Sequence, residues 1–388
     1  MGKLRSFVWP TEGQEMLLDI ALGPQENVVA TFEKWNAATD LDKEFDWGTF
    51  RLLPLVYERL RSLDLDHPLM GRLKGIYRLA FYETQSIVHV AASMLSNLQA
   101  AGIPTMMIKG VPLALSYYRS PAVRPMRDFD FAVPPSMSHR AVAIVEAQGW
   151  TRLGYCRDED LLYRHSMPFR NAAGKEMDLH WHCLVEDGSK AANDWFWARS
   201  TPLIVGPCTT LQPDATALLL HTILHGLRSN PEPPVRWVAD ATRLIDSSPG
   251  VDWDELVRFA IERRLTHRLS LGLAYLKRRF NCAIPEDAFT QLEALRPSLL
   301  EKIENTVFLG DSTTIAENPF GRRWVKFIEY TRMMRIWPLG QVIAQFPDYM
   351  RYRADLPHKR DLLAYLASYP RRGLKRLATR HISGPAKE

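Results

Sequence analysis

The sequence predicts an α/β fold in which a small mixed β-sheet lies between two helical regions. Apolar residues recur every three or four positions before Gly102 and again after Pro213, which is the spacing of amphipathic helices. Between these points, short segments alternate polar and apolar residues, as strands with one solvated face do. Strands that first alternate with helices and then follow one another are typical of a mixed sheet.

The helical spacing before the sheet occurs in four segments. They are residues 15–22, 26–38, 47–63 and 70–101. Gly102 follows the last segment directly and Pro104 comes soon after, and both residue types are typical of a helix end. The same spacing returns after the sheet, in residues 213–229, 234–247 and 253–280.

The sheet region contains predicted strands and helices in mixed order. The strands are residues 104–110, 128–133, 150–155, 160–170 and 175–185, and the helices are residues 111–119 and 136–149. A turn at Asn171–Gly174 joins the last two strands. The changes of spacing predict an N-terminal helical region, an α/β core, a helical domain and a C-terminal helical region with a basic tail. Their limits are 1–102, 103–210, 211–290 and 291–388.

The composition is that of an ordinary globular protein. Hydrophobic residues make up 46% and charged residues 24%, which excludes a disordered chain, a collagen and a small disulfide scaffold. The net charge is +5, but residues 351–388 alone hold ten Lys and Arg against three Asp and Glu. This basic tail predicts either a weak contact with an anionic membrane or nucleic acid, or a solvated segment.

The cysteines and the hydropathy bear on location. Four cysteines lie far apart and none forms a CxxC pair, as expected for the reduced thiols of a cytoplasmic protein. No apolar run reaches the roughly 18 residues that a membrane-spanning helix needs. We therefore expect a cytoplasmic protein without a transmembrane segment.

Asp128 and Asp130 form a DxD pair in a predicted strand. Residues i and i+2 of a strand point to the same face, so the two carboxylates project together, while Phe129 and Phe131 face a core. Two like charges held side by side repel each other unless a cation lies between them. A divalent cation with oxygen ligands, usually Mg²⁺, meets this need. A solvated strand edge is the alternative interpretation.

Asp178 strengthens the metal hypothesis. The MDLHWH segment alternates in the same way and puts Asp178, His180 and His182 on one face. A third carboxylate on a neighbouring strand would complete a site for two Mg²⁺ ions, which clamp the attacking and leaving oxygens of a phosphoryl transfer. Asp178 could also accept the proton of an attacking hydroxyl group.

Basic residues near the DxD pair predict a phosphate site. Lys109 and Gly110 lie between a predicted strand and a helix, where a glycine lets the backbone approach an anion. Arg124 and Arg127 lie in the loop just before the DxD pair and could make bidentate contacts with phosphate. Each of them alone is more typical of a solvated surface charge, but their order beside the DxD pair favours nucleotide binding.

The combination of these segments resembles a known family. The segments IKGVPLALSYY, RPMRDFDFAV and MDLHWH together resemble the uncharacterised nucleotidyltransferase family of the DNA-polymerase-β-like superfamily. The resemblance spans about residues 45–270 and includes the later RWVAD and DWDEL segments. The Gly-Ser turn usual in the superfamily is absent, and Lys109 and Gly110 stand in its place.

The resemblance implies a nucleotidyltransferase-type sheet with helical flanks, two Mg²⁺ ions and an NTP as co-substrate. It implies the metal carboxylates Asp128, Asp130 and Asp178. It also implies Lys109, Gly110 and Arg124 as residues of the nucleotide pocket.

Several histidines could serve the same site. His165, His180 and His182 could line the pocket and orient phosphate or substrate, and this is the favoured interpretation. A transition-metal site made of histidines and Asp178 is the alternative. His221 and His225 are one helical turn apart in an apolar segment, where core or pocket-wall histidines are more common than ligands.

We therefore expect an Mg²⁺-dependent enzyme that transfers a nucleotidyl group from an NTP to an unknown acceptor. The acceptor would attack the α-phosphate in line and pyrophosphate would leave. Two alternatives stay open: a kinase-like phosphotransferase on the same fold, and a non-catalytic module that binds a peptide, a nucleic acid or a partner enzyme. The large helical part of the chain suggests an acceptor site for a small molecule, a peptide or a tRNA.

Overall fold

The computed structural model confirms the α/β fold with a mixed sheet and helical flanks. It describes residues 8–41, 43, 46–154, 156–228, 235–247, 249–295 and 297, a few residues between 301 and 334, and residues 338–354 and 356–367. The part of the basic tail beyond residue 367 lies outside the described residues.

In the part of the chain that the structure describes, four helices precede the sheet, as predicted. They are α1 (Glu12–Leu22), α2 (Gln25–Ala38), α3 (Trp47–Arg61) and α4 (Met70–Ala100). Their starts carry local signals. Thr11 and Gln14 form a capping box at α1, and Asp46 caps α3 by accepting from the Thr49 backbone at 2.9 Å. Asp46 also accepts from the Gln14 side chain at 2.7 Å, so a single carboxylate fixes the start of α3 against α1.

The sheet of the described residues is mixed, with the strand order β3-β4-β5-β2-β1-β7-β6. The strands are β1 (Met106–Ile108), β2 (Asp128–Ala132), β3 (Thr151–Arg152), β4 (Ser166–Arg170), β5 (Glu176–His180), β6 (Ser200–Val205) and β7 (Cys208–Pro213). The pairs β2–β5 and β1–β7 are parallel and the other pairs are antiparallel. The two central parallel pairs hold the strands that carry the candidate site.

Three helices lie within the sheet region and six follow it among the described residues. The first three are α5 (Gly110–Ser116), α6 (Ser138–Ala147) and α7 (Lys190–Ala198). The others are α8 (Ala215–Gly226), α9 (Trp237–Ile245), α10 (Trp253–Arg263), α11 (Thr266–Phe280), α12 (Glu286–Ala294) and α13 (Leu339–Arg353).

The two faces of the sheet are buried against different helices. Phe129 and Phe131 of β2 are fully buried and pack with α4 and α6, as the alternation in the DFDFAV segment predicted. Ile108 of β1 faces the opposite side and joins the core formed by α1–α3 and α8–α11. Because side chains alternate along a strand, Asp130 points towards this second group of helices, which therefore form the wall of the candidate site.

Two parts of the predicted sheet differ from the structure. The predicted strands 160–170 and 175–185 are shorter, because a 3₁₀ helix occupies Asp158–Tyr163 and β5 ends at His180. The predicted turn Asn171–Gly174 is present, with the Gly174 amide donating to Asn171 at 2.9 Å.

The β6–β7 hairpin and α7 were not predicted. Pro202 and Pro213 interrupt the strand pattern, since proline removes a donor and is confined to strand ends and edges. β6 is indeed at the edge of the sheet. The local signal that indicates this hairpin is the Gly206–Pro207 turn, where Gly206 has a φ of 57°.

Two further expectations concern the whole chain. All four cysteines are free and buried, as predicted for thiols that form no disulfide. Among the described residues, no helix combines the length and the apolar character needed to cross a membrane. The predicted domain limits at 102, 210 and 290 stay predictions.

Candidate active site

The acidic residues of the candidate site lie on two neighbouring parallel strands. Asp130 of β2 is the direct register partner of Asp178 of β5, so both side chains leave the same face of the sheet. Asp130 is 4% exposed, whereas Asp128 lies at the exposed start of β2. The parallel pairing therefore brings a residue from the DxD strand beside one that is 48 positions later in the chain.

Lys109 places a positive charge among these carboxylates. Its Nζ donates to Asp130 Oδ1 and lies 3.3 Å from His180 Nε2. Burial acts to lower the pKa of Lys109, but the charges of Asp130 and Asp178 raise it above its usual value. Lys109 has a φ of 57° and a ψ of −112°, a sparsely populated backbone conformation that costs roughly 1–3 kcal/mol for a residue with a Cβ atom. Strain of this kind clusters at functional sites.

Asp130, Asp178 and His180 form a group that could hold a metal ion. Each offers one ligand atom, and these atoms lie within 4.8 Å of one another. His180 Nε2 is 3.2 Å from Asp130 Oδ1 and 4.0 Å from Asp178 Oδ2. Two carboxylates and an imidazole suit a divalent cation, and the ammonium group of Lys109 supplies a positive charge at the same place. Asp128, the third predicted carboxylate, lies outside this group.

The carboxylates carry an excess of negative charge. Burial and the charges of Asp130 and Asp128 raise the pKa of Asp178 to about 6, against the opposing effect of Lys109. The pKa of Asp128 is also raised, because surrounding protein partly shields its carboxylate from water even though the residue is exposed, and because the charge of Asp130 is close. A cation bound here would relieve both effects, because it favours the ionised carboxylates.

Arg124 is held by a helix that follows the sheet. Its Nε and Nη2 donate to the two carboxylate oxygens of Asp240 at 2.9 and 2.8 Å, and Tyr118 donates to the same carboxylate at 2.8 Å. Both Arg124 and Asp240 are buried. Burial acts to lower the pKa of Arg124, but the pairing with Asp240 raises it. Asp240 thus fixes Arg124 beside the candidate site.

Two further arginines, Arg51 of α3 and Arg236 before α9, line the same cleft. Arg236 donates to the Pro125 carbonyl. Burial and the nearby charges of Arg124 and Arg51 lower the pKa of Arg236 well below its usual range. A group of arginines that repel one another inside a cleft is stabilised by a bound anion.

Arg127 and Gly110 also lie at this cleft. The Arg127 guanidinium stacks on the ring of Trp47, with its Cζ 3.4 Å from the ring centroid, so it is held by a cation–π contact. A Cβ atom at Gly110 would lie 2.7 Å from Met126 Sδ and 3.1 Å from Arg124 Nη1. The glycine therefore leaves the space that Arg124 occupies.

The cleft is lined by acidic and basic residues from three parts of the chain. It contains about 840 Å³ of space, its open mouth included. The β-sheet supplies Asp128 and Asp130, the helices before the sheet supply Arg51, and the helices after it supply Arg236. A smaller adjoining pocket, about 320 Å³ with its open mouth included, shares Lys109, together with His221 and His225.

The predicted histidines are separated by the structure. His165 and His180 are 5.5 Å apart between ring centroids, and both line the smaller pocket. Burial first, and the nearby charge of Lys109, lower the pKa of each well below the usual value, so both imidazoles are neutral. His221 and His225 of α8 stack at 6.0 Å on the other wall of this pocket, as expected for pocket-wall histidines.

His182 does not share the face of Asp178, contrary to the expectation. β5 ends at His180, so the strand alternation does not extend to this residue. Its Nδ1 accepts from Asn193 Nδ2 at 2.9 Å, and its ring lies over Gly188. His182 thus holds the segment between β5 and α7 and lines neither pocket described above.

Arg51 and Arg236 at the cleft, and Arg228 at the smaller pocket, were not predicted as site residues. Arg51 and Arg236 belong to the flanking helical regions, and only the packing of these regions on the sheet brings them to the cleft. Arg236 did carry a signal, because it belongs to the RWVAD segment of the family resemblance. Asp240 of the same segment holds Arg124.

Comparisons with known proteins agree with this geometry only at the level of the family. No curated protein matches the chain. A crystal structure of an antigenic nucleotidyltransferase-like protein from Paracoccidioides brasiliensis is similar, with 14% identity, over 56% of this chain and 94% of that one. Its TM-score of 0.32 is too low to support an argument. A family model described as uncharacterised nucleotidyltransferase matches residues 49–281, which is more than half of the chain and includes every candidate residue named above. The chain therefore belongs to this family of uncharacterised nucleotidyltransferases.

Proposed function

We propose that the protein is a metal-dependent nucleotidyltransferase that uses an NTP. The observation that carries this proposal is the pairing of Asp178 with Asp130, which forms one wall of a cleft whose other walls are basic. A nucleoside triphosphate with its divalent cation matches both halves of this arrangement, since carboxylates bind the cation and arginines bind the phosphates.

Asp128, Asp130 and Asp178 would hold the cation, which we expect to be Mg²⁺, with two ions in the complete site. When bound, the cation supplies neutralisation of the charge that develops on the phosphate oxygens. His180 lies close enough to Asp130 and Asp178 to orient them. A transition metal bound through His180 is the alternative, and imidazole ligands favour it.

The basic residues would position the triphosphate. Arg124, held rigidly by Asp240, can present its remaining guanidinium nitrogen to the cleft, where Arg51 and Arg236 add further charge. Lys109 neutralises Asp130 in the nucleotide-free protein and lines the cleft from the same position. Gly110 and Arg127 belong to the same wall. Positioning and charge neutralisation are the main contributions that a protein makes to phosphoryl transfer.

Asp178 would also take part in proton transfer. A carboxylate that faces the attacking hydroxyl group can accept its proton as a general base. The acceptor hydroxyl would lose its proton to Asp178 while its oxygen forms a bond to the α-phosphorus. The bond between the α-phosphorus and the bridging oxygen would break, and pyrophosphate would leave with the electron pair.

A kinase-like phosphotransferase is the second candidate, because the same cleft could present the γ-phosphate instead. The position of the label separates the two. We expect label from an α-³²P-NTP, and not from a γ-³²P-NTP, to reach the acceptor when the protein is incubated with Mg²⁺ and a small-molecule extract of cells. Transfer from the γ position only would establish the phosphotransferase.

Matched variants show whether the candidate site is responsible for the transfer of label. We expect Asp130→Asn to lower transfer by about 10²-fold or more, since the loss of a metal ligand removes several kcal/mol of charge stabilisation. Asp194→Asn changes an exposed carboxylate of α7 that pairs with Lys190 and should keep full transfer. Calorimetry with ATP, GTP, CTP and UTP, with and without Mg²⁺, completes the test. Failure of all four nucleotides to bind would favour the non-catalytic binding module.

The acceptor and the location of the protein stay predictions. A small molecule, a peptide or a tRNA was expected as the acceptor, and the cytoplasm as the location. The basic tail, whose contact with an anionic surface was expected, is described only as far as residue 367.

A further inference from the structure

The smaller pocket adjoins the nucleotide cleft at the candidate metal group. Lys109 lines both spaces, and so do His221 and His225. Asp130 lines the cleft, while His180, whose Nε2 is 3.2 Å from Asp130 Oδ1, lines the smaller pocket. Asp130 and His180 of the candidate metal group therefore stand at the boundary between the two spaces.

This position has a consequence for the proposed reaction. In a phosphoryl transfer the attacking and leaving oxygens are roughly in line, on opposite sides of the phosphorus. If the triphosphate occupies the larger cleft, the attacking group must reach the α-phosphorus from the side away from the leaving pyrophosphate. The smaller pocket is the space that borders the metal group there, between the end of β5 and α8.

The size of the pocket limits what can enter it. The cavity itself is small, about 20 Å³, which exceeds the roughly 10–15 Å³ that one water molecule needs and is far below the roughly 300–1,000 Å³ of sites that enclose a whole small molecule. Buried side chains close much of its wall, among them Cys183, Leu184 and Leu224. Such a space suits one anionic end group of a molecule whose remainder lies in the adjoining cleft, and it excludes a folded macromolecule.

The charge of the pocket is positive. Arg228, just beyond the end of α8, lines it, and among the described residues no carboxylate pairs with this side chain. Glu186, the acidic residue of the wall, is paired with Arg268 at 2.6 Å and both are buried. The nearby charge of Arg228 is one of the causes, after burial, that lower the pKa values of His165 and His225. The imidazoles are therefore neutral, and no acidic side chain of the described residues offsets the charge of Arg228.

A buried polar atom beside the pocket also indicates a bound ligand. His180 is 1% exposed, and its Nδ1 has no hydrogen-bond partner among the described residues. Buried polar atoms normally have a partner, so an exception beside a candidate site calls for a ligand or a water molecule.

We propose that the smaller pocket is part of the acceptor site and receives one anionic end group of a small acceptor molecule, phosphate or carboxylate, which Arg228 binds. The proposal rests on the proposed function for the reaction itself, but the binding of the anion depends only on the pocket. Arg228 is a binding residue in this account. The neutral histidines line the walls and can donate or accept hydrogen bonds from the rest of the acceptor.

The test measures anion binding without nucleotide or metal. Inorganic phosphate and, in a second arm, acetate are titrated into the full chain at constant pH and ionic strength. Binding is followed through the ¹H–¹⁵N signals of the histidine side chains. His165 lines the smaller pocket and not the nucleotide cleft, so its signal reports this pocket. We expect the His165 signal to shift with at least one of the two anions, and the arm that binds more tightly identifies the anionic group.

Variants decide which residue is responsible. We expect Arg228→Gln to weaken the binding seen at His165 by about ten-fold or more, as loss of a charge-assisted contact does. The anion affinity of Arg228→Lys should lie between those of the wild type and Arg228→Gln, because lysine keeps the charge but not the bidentate geometry. Arg258→Gln, which changes an exposed arginine of α10, and Arg236→Gln, in the nucleotide cleft, should leave the His165 titration unchanged.

Two results would overturn the proposal. One is failure of anion binding in the smaller pocket to depend on Arg228. This would be seen as an unchanged anion affinity in Arg228→Gln, or as no shift at His165 with either anion. The other is loss of the shift in Arg236→Gln but not in Arg228→Gln, which would place the anion in the nucleotide cleft. Either result leaves the proposed nucleotidyl transfer standing, since that is tested by the transfer of α-label. If Arg228→Gln does not fold, as judged by its circular dichroism spectrum, Arg228→Lys alone carries the comparison.

Discussion

Asp130 and Asp178 lie directly opposite each other on the parallel strands β2 and β5, with their carboxylates on the same face of the sheet. Nothing in a sheet requires two like charges in this register, and cross-strand pairs of like charge are destabilising. Lys109 offsets part of the repulsion, yet the pKa of Asp178 remains raised. The pair is therefore better explained by function than by stability.

This register makes a prediction about the metal-free protein. Because the folded-state pKa of Asp178 is about 6, above the ordinary value of 3.8, the folded protein binds this proton more tightly than the unfolded protein. The stabilisation by this proton is fully present below about pH 4 and is lost as the pH rises through about 6. Asp178→Asn should therefore raise the free energy of unfolding near neutral pH by roughly 1–3 kcal/mol.

Urea unfolding in the presence of EDTA measures this difference. The gain from Asp178→Asn should shrink towards zero below about pH 4, where the wild-type carboxyl group is protonated. The same variant should lose nucleotidyl transfer. A variant that is less stable than the wild type near neutral pH would show that the carboxylate is not under electrostatic strain.

The Arg124–Asp240 pair predicts a large effect on stability. Both groups are buried and joined by two hydrogen bonds, so Asp240→Asn would leave a buried arginine without its counter-charge. Breaking a buried ion pair in this way costs about 3–5 kcal/mol. Glu262→Gln, which removes an exposed ion pair with Arg258, should cost less than about 1 kcal/mol.

Thermal and urea unfolding of the two variants test this expectation. Equal and small effects would mean that Arg124 finds another partner when Asp240 is neutral. Since Arg124 is held in place by Asp240, the affinity for ATP and Mg²⁺ should also fall in Asp240→Asn and not in Glu262→Gln.

A substitution at Gly110 tests whether ATP binding depends on the space beside this glycine, because alanine adds only one methyl group. A Cβ atom there would lie 2.7 Å from Met126 Sδ and 3.1 Å from Arg124 Nη1, so Gly110→Ala must displace these side chains. Because both are movable side-chain atoms, the loss of stability should be no more than about 1–3 kcal/mol, while ATP binding falls. Gly75→Ala in α4, where nothing lies within 4 Å, should raise stability by roughly 0.5–1 kcal/mol.

Calorimetry with ATP and Mg²⁺ and unfolding experiments on both variants separate these effects. The interpretation fails if Gly110→Ala binds ATP as tightly as Gly75→Ala does, because Arg124 would then not need its present position.

Arg236 tests the role of the helical regions in nucleotide binding. It lines the cleft beside Arg51 and Arg124, and a contact with a charged phosphate is worth about 1.5–3 kcal/mol. Arg236→Gln should therefore weaken ATP binding by about 10–100-fold. Arg258→Gln changes an exposed arginine and should bind ATP as the wild type does. An unchanged ATP affinity in Arg236→Gln would remove the helices after the sheet from the nucleotide site.

Local patterns in the sequence were sufficient to predict the faces of the central strands. The alternation in DFDFAV buried Phe129 and Phe131 and left Asp130 on the opposite face, as predicted. The alternation of polar and apolar residues did not predict side-chain directions beyond the end of a strand, because it contains no information about strand length. His182 is the example, since β5 stops two residues before it. The β6–β7 hairpin escaped prediction because prolines break its pattern.

The sequence by itself determined the α/β class, the helical flanks and the faces on which Asp130 and Asp178 lie, because these follow from periodicity along a short stretch of chain. Only the tertiary structure decided that the two aspartates are register partners. It also decided that Arg51 and Arg236 reach the same cleft, and that Asp240 holds Arg124. These contacts join residues far apart in the chain, and they depend on strand order and on how the helices pack against the sheet. No local pattern encodes either of these.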